Sequence, residues 1–226
     1  MGKQSKRYLE NVKKVDCDKL YSVTEAVKIL KSFENAKFDE TVEMVFNLEI
    51  NPKKADQLVR GAFSLPHGIG KKVKVIAFCD DETAKQALEA GAIEAGSEDL
   101  VAKVSGGWLD FDVAIAAPNM MAKVGKLGRV LGPTGKMPSP KSGTVSVDVV
   151  KAVTEFVAGK IDFRNDDTSN VHTVVGKASF DEQKIAENVD ALIKHIKEIK
   201  PQSAKEGYIM SMSIATTMGP GIKIAV

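Results

Sequence analysis

Apolar and polar positions alternate with two different periods along this chain, and the change of period falls at two glycine-bearing points. Val42, Met44, Phe46, Leu48 and Ile50 alternate with mostly polar neighbours, and after Asn51-Pro52 and a polar connector Val59 to Leu65 alternates again. Period-2 alternation describes half-buried strands, so this stretch predicts two antiparallel strands. Ahead of them, Ser22 and Glu25 form a Ser-x-x-Glu capping box, and Val23, Ala26, Val27 and Leu30 fall on one helical stripe. A short helix is expected there.

After the breaker cluster Pro66-His67-Gly68-Ile69-Gly70 the grammar changes. Val73 to Cys79 is a short apolar strand; Glu82 to Ala90 is helical and stops at Gly91; Ser97 to Val104 is a capped helix stopping at Gly106-Gly107; Val113 to Ala117 is another apolar strand. Strand and helix now take turns, the pattern of a parallel sheet with crossover helices. Asp148 caps a further helix through Val157, closed by Gly159. Beyond it the first grammar returns, with Ile161 and Phe163 alternating, a polar turn at Asn165 to Asn170, and a strand from Val171 to Val175. Ser179 and Glu182 read as a second capping box for a helix that buries Ile185, Val189, Leu192, Ile193 and Ile196 and stops before Pro201.

The last element is a strand with Tyr208, Met210, Met212, Ile214 and Thr216 on an oily face and Ile209, Ser211, Ser213, Ala215 and Thr217 on a face of small hydroxyls. It runs into Met218-Gly219-Pro220-Gly221, where glycine bares the backbone and proline stops the ladder. Small polar groups beside bare backbone make a flat hydrogen-bonding surface, better suited to RNA 2′-hydroxyls than to a small metabolite that needs a pocket. The fold class is therefore a two-domain α/β and α+β protein. Residues 1–67 and 160–226 form a split α+β sandwich, one antiparallel sheet with helices on one face, and residues 68–159 form an inserted α/β domain. Glycine at both crossings implies relative motion of the two.

Charge changes this picture in one place. The formal net charge is only +2, too small to announce a polyanion partner by itself, so its distribution matters. The chain begins with a basic arm containing Lys3, Lys6, Arg7, Lys13 and Lys14 against Glu10 alone. Between Asp112 and Asp148 there is no acid, while Lys123, Lys126, Arg129, Lys136 and Lys141 are cationic, which makes Gly125 to Thr144 a candidate phosphate-facing loop. Asp80, Asp81, Glu82, Glu89, Glu94, Glu98 and Asp99 balance it with an acidic side.

Enzyme signatures fail residue by residue. Gly70-Lys71 is preceded by Leu65 where a P-loop has its first glycine and followed by Lys72 where it has Ser or Thr; Gly135-Lys136 fails likewise at Val130 and Met137. Gly125, Gly128 and Gly132 lack dinucleotide spacing. His67, His172 and His195 have no metal-ligand spacing, so neither metal nor cofactor is expected. Cys17 and Cys79 read as buried thiols. No apolar run approaches the roughly 20 residues of a membrane span, and no secretory signal opens the chain, so a cytoplasmic protein without a membrane partner is expected. The competing functional class is an α/β enzyme that holds a phosphorylated ligand on the Gly125 to Thr144 loop.

Eight segments, in order along nearly the whole chain, carry a resemblance. KFDETVE at Lys37 to Glu43, NPKKADQLVRG at Asn51 to Gly61, LPHGIGK at Leu65 to Lys71, FDVAIAAPNMM at Phe111 to Met121, KLGRVLGPTGKMPSPKSGTV at Lys126 to Val145, IDFRND at Ile161 to Asp166, VGKASF at Val175 to Phe180 and TTMGPG at Thr216 to Gly221 closely resemble the L-one family of bacterial large-subunit ribosomal proteins. The resemblance implies a Rossmann-like inserted domain without nucleotide and a first domain that binds large-subunit rRNA at the mobile stalk. It further implies a part in releasing deacylated exit-site tRNA, repression through the messenger of its own operon, and a protein that is monomeric when free and otherwise on the ribosome. The positions it implies as RNA contacts are Lys37, Phe38, Thr41, Asp166, Thr168, His172, Ser211, Thr217, Met218 and Gly219, with Lys126, Arg129, Lys136 and Lys141 as a secondary contact. The family commonly has lysine where this chain has Asp167, and aspartate, aspartate, leucine and asparagine at Asn51, Asn119, Lys136 and Ser139.

Overall fold

A computed structural model of the chain describes residues 4–16, 18–204 and 207–226; Lys3 of the basic arm and Cys17 lie outside them. The chain divides into two compact units, Met1–Gly70 with Ile161–Val226, and Lys71–Lys160.

The first unit opens with α1 (Lys6–Val12), whose N-cap Ser5 accepts from the Tyr8 amide. In α2 (Val23–Lys31) the Ser22 hydroxyl and Glu25 carboxylate satisfy each other's backbone N–H groups, the reciprocal box the sequence predicts. Strand β1 (Thr41–Leu48) buries every second residue. The next strand, β2 (Arg60–Ser64), does not pair with β1 as expected. Both edges of β1 are taken by strands from the far end of the chain, which leaves β2 to form a separate two-stranded sheet.

The second unit contains β3 (Val75–Phe78), α3 (Asp81–Glu89), β4 (Glu94–Gly96), α4 (Glu98–Ser105), β5 (Val113–Ala116), the four-residue helices α5 (Met121–Val124) and α6 (Gly128–Leu131), and α7 (Val149–Val157). Its sheet runs β4-β3-β5, all parallel. Alternate side chains of β3 feed two cores. Val75 and Ala77 pack with Ala84 and Ala87 of α3 and Val153 and Phe156 of α7. Ile76 and Phe78 pack with Leu100 and Val104 of α4 and with Val124, Leu127 and Leu131. Strand β4 escaped the sequence reading because Glu94-Ala95-Gly96 has neither length nor β-branched residues. Cys79, directly after β3, is a buried thiol, its pKa pushed up by that burial.

The chain returns through β6 (Lys160–Arg164), the partner of β2, and β7 (Asn170–Lys177), then α8 (Glu182–Glu198), β8 (Ile209–Thr216) and β9 (Ile222–Ile224). The main sheet of the first unit has the order β7-β1-β8-β9 and is antiparallel throughout. Helices α2 and α8 pack on each other and against one face of it, burying Ala26, Val27, Leu30, Ile185, Val189, Leu192 and Ile196 with Val42, Met44 and Phe46. So the single sheet expected of the flanks is a four-stranded sheet and a two-stranded one.

Two further expectations change. Ser179 does not cap α8: the N-cap is Asp181, and Ser179 instead gives its amide N–H and hydroxyl to the two Asp39 carboxylate oxygens at 3.0 and 2.8 Å. Along β8 the register slips beside Asn47, so Leu48 faces Ile209 and Asn47 faces Ser211. Met210 is the extra residue of a bulge and stands 61% exposed, while Ile209 goes inside. Among the described residues no helix is long and apolar enough to cross a membrane.

Candidate nucleic-acid interface

Among the described residues of the first unit, no helix lies on the face of the four-stranded sheet opposite α2 and α8. Along β1 that face presents Thr41, Glu43, Val45 and Asn47, the half-exposed members of the alternation. Register extends each across the sheet: Asn47 lies between Asn170 and Ser211, and Val45 between His172 and Ser213. The result is an array of amides, hydroxyls and one imidazole around Val45, with the Glu43 carboxylate among them, close to the small polar surface the sequence predicts from β8.

At one end of this face the structure gathers Lys37, Phe38, Thr41, Thr217, Met218 and Gly219. Phe38 and Met218, two large apolar side chains, are 53% and 50% exposed. The Thr217 hydroxyl accepts the Thr41 amide N–H at 2.9 Å and donates to the Thr41 carbonyl at 3.3 Å, so its proton is committed within the protein. Towards a ligand it offers a lone pair only. Thr41 in turn accepts from the Lys177 ammonium at 2.8 Å.

Glu40 holds this end together, and the sequence reading passed over it. It is 2% exposed. One carboxylate oxygen accepts the Ala36 N–H at 2.6 Å and the other the Met218 N–H at 3.1 Å, tying the segment before Lys37-Phe38 to the segment after Thr217. Burial raises its pKa, but the Ala36 N–H, the Thr216 hydroxyl, the Met218 N–H and the Arg7 charge together outweigh burial and hold it below the usual carboxylate range. The signal was present: Glu40 stands in phase with Val42, Met44, Phe46 and Leu48, an acid at a core position of the alternation.

At the other end, near Asn47, lie Asp166, Thr168, His172 and Ser211. The Asp166 carboxylate accepts the Thr168 amide at 2.9 Å, the Thr168 hydroxyl at 2.7 Å and the Asn170 amide at 2.7 Å. These bonds, the Thr168 hydroxyl first, keep its pKa low. They form a side-chain-closed turn that places Ser169 at φ +68°, the only positive φ outside glycine among the described residues. The Ser169 hydroxyl anchors the turn on the Ile50 carbonyl at 2.9 Å, and Asn47 donates to the Asn170 side chain at 2.7 Å. Asp166 therefore shapes this end, and His172, 3.9 Å from its carboxylate, presents an exposed ring beside it. Replacing Asp166 with alanine is expected to speed hydrogen exchange of the Thr168 and Asn170 amides and to weaken RNA binding by less than about tenfold, because only turn order is lost. Unchanged exchange at both amides would count against this role.

A family model of the "Ribosomal protein L1p/L10e family" matches residues 30–220. The "Large ribosomal subunit protein uL1" of Lactobacillus gasseri is 54% identical over 224 residues, covering 99% of this chain and 97% of that protein. Proteins of the same name from Beutenbergia cavernae and Cutibacterium acnes are each 51% identical, covering 99% and 98% of this chain and 94% and 96% of theirs. The chain belongs to the ribosomal protein L1p/L10e family. That family is one of ribosomal proteins and not of enzymes.

Family membership sets the competing enzyme reading aside, and the second unit shows why a phosphorylated ligand would find little there. In an open parallel sheet ligands sit beyond the carboxyl ends of the strands, on helix N-termini. Here that position, at the start of α3, is occupied by Asp80, Asp81 and Glu82, with Asn119 donating to Asp80 at 2.9 Å. Nor is Gly125 to Thr144 a long open loop. Val124, Leu127 and Leu131 are buried at helical spacing, so much of it is short helical turns covering the sheet. Lys126, Arg129 and Lys141 are exposed on it. Lys136 turns inward, its ammonium donating to the Leu109 carbonyl at 2.9 Å and to the Phe111 carbonyl. Among the described residues no group of three His, Cys, Asp or Glu is placed to hold a metal ion.

Proposed function

We propose that this protein is a structural, non-enzymatic constituent of the large ribosomal subunit in the cytoplasm, and that it binds the mobile-stalk segment of large-subunit rRNA on the helix-free face of its first unit. One observation carries the reading: a sheet covered by helices on one side only presents, on the other, small hydroxyls and amides bracketed by two ends fixed through buried or turn-closing acids. RNA offers matching groups, since its wide minor groove displays 2′-hydroxyls and its looped bases need flat apolar surface. Phe38 and Met218 supply the apolar contact, Lys37 meets phosphate, and Ser211, His172, Thr217 and the Gly219 backbone read sugar and base edges. Asp166 and Thr168 set the shape of the second end.

In this reading the two chain ends form the RNA-binding domain, and the second unit is an inserted Rossmann-like domain that binds no nucleotide. Lys126, Arg129 and Lys141 give it a secondary phosphate contact, to which Lys136 contributes little because its ammonium is already engaged. The stalk position supports a part in releasing deacylated tRNA from the exit site. A messenger segment that imitates the rRNA site would be held by the same surface, which makes the free monomer a repressor of its own operon.

The test is a gel-shift titration of the full chain against the transcribed stalk segment and a shuffled control, at two salt concentrations. Selective binding that survives the higher salt is expected; unselective binding that collapses with salt would overturn the reading. Thr217→Val should weaken the selective complex by about 1–3 kcal/mol, since the hydroxyl's remaining lone pair and its Thr41 bonds are lost together. Parent-like binding would remove Thr217 from the site.

A further inference from the structure

The first helix is docked, and where it is docked extends the RNA surface. Asn11 is 1% exposed; its side-chain amide donates to the Glu34 carbonyl at 3.1 Å, and its side-chain oxygen accepts the Glu34 N–H at 2.9 Å. The Lys14 ammonium donates to the Ser32 carbonyl at 2.6 Å. Both partners belong to the segment between α2 and β1, and Glu34 stands three residues before Lys37. The bonds that hold α1 therefore hold it beside the stretch from which Lys37 and Phe38 project.

Helix geometry then says which cations share that side. Residues four apart stack on one helical face, so Arg7 lies above Asn11 on the docking face, one turn nearer the N-terminus. The Glu40 carboxylate, which binds the Met218 N–H, feels the Arg7 charge. Lys6, next to Arg7, is exposed, and the helix carries a single acid, Glu10. Arg7, on the docked face of α1, and Lys6 beside it thus stand at the Phe38 and Met218 end of a surface whose own polar groups are mostly uncharged.

We propose that α1 is a phosphate-gripping arm of the RNA interface, with Arg7 and Lys6 holding backbone phosphates next to the nucleotides seated between Phe38 and Met218. This rests on the functional reading above and adds contacts to it. Hydroxyls and backbone choose the sequence; the α1 cations supply affinity without choosing, because phosphates carry no sequence information. The rival role for Arg7 is that of a counter-charge keeping Glu40 in place, which would require no RNA contact.

Salt dependence separates the two roles. Each phosphate neutralised contributes roughly 0.7–0.9 to the slope of log affinity against log salt. The full chain, Arg7→Gln, Lys6→Gln, the double variant and Lys194→Gln on the exposed side of α8 are titrated with the transcribed stalk segment and a shuffled RNA at four salt concentrations, with thermal melts of each protein. The double variant is expected to lose about 1–2 from the slope on both RNAs and several-fold in affinity at low salt, with its melting temperature near the parent's, while Lys194→Gln keeps the parent slope. Affinity lost with the slope unchanged would leave Arg7 a counter-charge only and overturn the proposal. An equal loss of slope in Lys194→Gln would overturn it too, by showing a diffuse charge effect. Should the parent fail to prefer the stalk segment, the functional reading falls, and the slopes on shuffled RNA still decide the role of α1.

Discussion

Glu40→Ala is expected to destabilise the chain by on the order of 2–4 kcal/mol and to remove selective RNA binding. The truncation leaves the Ala36 and Met218 N–H groups without their acceptor, and those two groups fix the segments on either side of the Phe38 and Met218 pair. Glu40→Gln should cost less, because one carbonyl oxygen still accepts, though its amide NH2 turns a donor towards the other N–H. Denaturant melts and gel shifts on the same preparations measure both effects. A pH series adds an independent check. The folded-state pKa of Glu40 is depressed, so its contribution is present above the unfolded carboxylate value, near about 4.3, and is lost as pH falls through the lower folded value. The parent should therefore lose stability in acid more steeply than Glu40→Gln. Superimposable acid limbs for the two proteins would show that the carboxylate's charge does not hold this end.

Much of the fold was legible because local signals and tertiary placement agree. The Ser22–Glu25 box, the alternation of β1 and the Asp148 cap on Lys151 all form as read, each settled by neighbours in sequence. What failed was partner choice. Nothing in Val59 to Leu65 says that β1 will have both edges filled by strands more than a hundred residues away, so the obvious hairpin was the wrong pairing. The Ser179 box failed for a related reason: a distant carboxylate, Asp39, outcompetes the local cap for the same hydroxyl. At Met210 a one-residue slip reverses which side chain is buried, and period-2 reasoning has no view of a bulge.

The candidate site divides the same way. The contacts proposed at Thr217, Met218 and Phe38 rest on the composition of the last strand and on the family resemblance. The groups that arrange them were not legible, because Glu40, Asp39 and Lys177 act through long-range hydrogen bonds to backbone or hydroxyl groups. Asp166, a contact by resemblance, also closes a turn through three hydrogen bonds, a role in shape that its sequence position does not announce. Acidic residues within the proposed RNA surface look out of place on charge grounds; here they are hydrogen-bond acceptors that hold strand ends in position.

Gly219→Val should be the most damaging change at the surface itself. A Cβ on residue 219 would come within 2.4 Å of the Thr216 hydroxyl oxygen and 3.2 Å of the Phe33 ring. Thr216 and Phe33 are 4% and 5% exposed, so neither has room to yield. Overpacking of this kind costs about 1–3 kcal/mol for one added methyl, and the branched side chain adds to it. In the proposed reading binding suffers separately, because the Gly219 backbone is one of the RNA contacts. The milder Gly219→Ala, alone and combined with Thr216→Ala, distinguishes the two effects. Removing the Thr216 hydroxyl relieves the shorter clash, so the double variant should recover much of the thermal stability lost by Gly219→Ala while its RNA affinity stays at least tenfold below the parent's. If affinity returned along with stability, glycine at 219 would serve the fold alone, and the close approach of RNA to this turn would have to be given up.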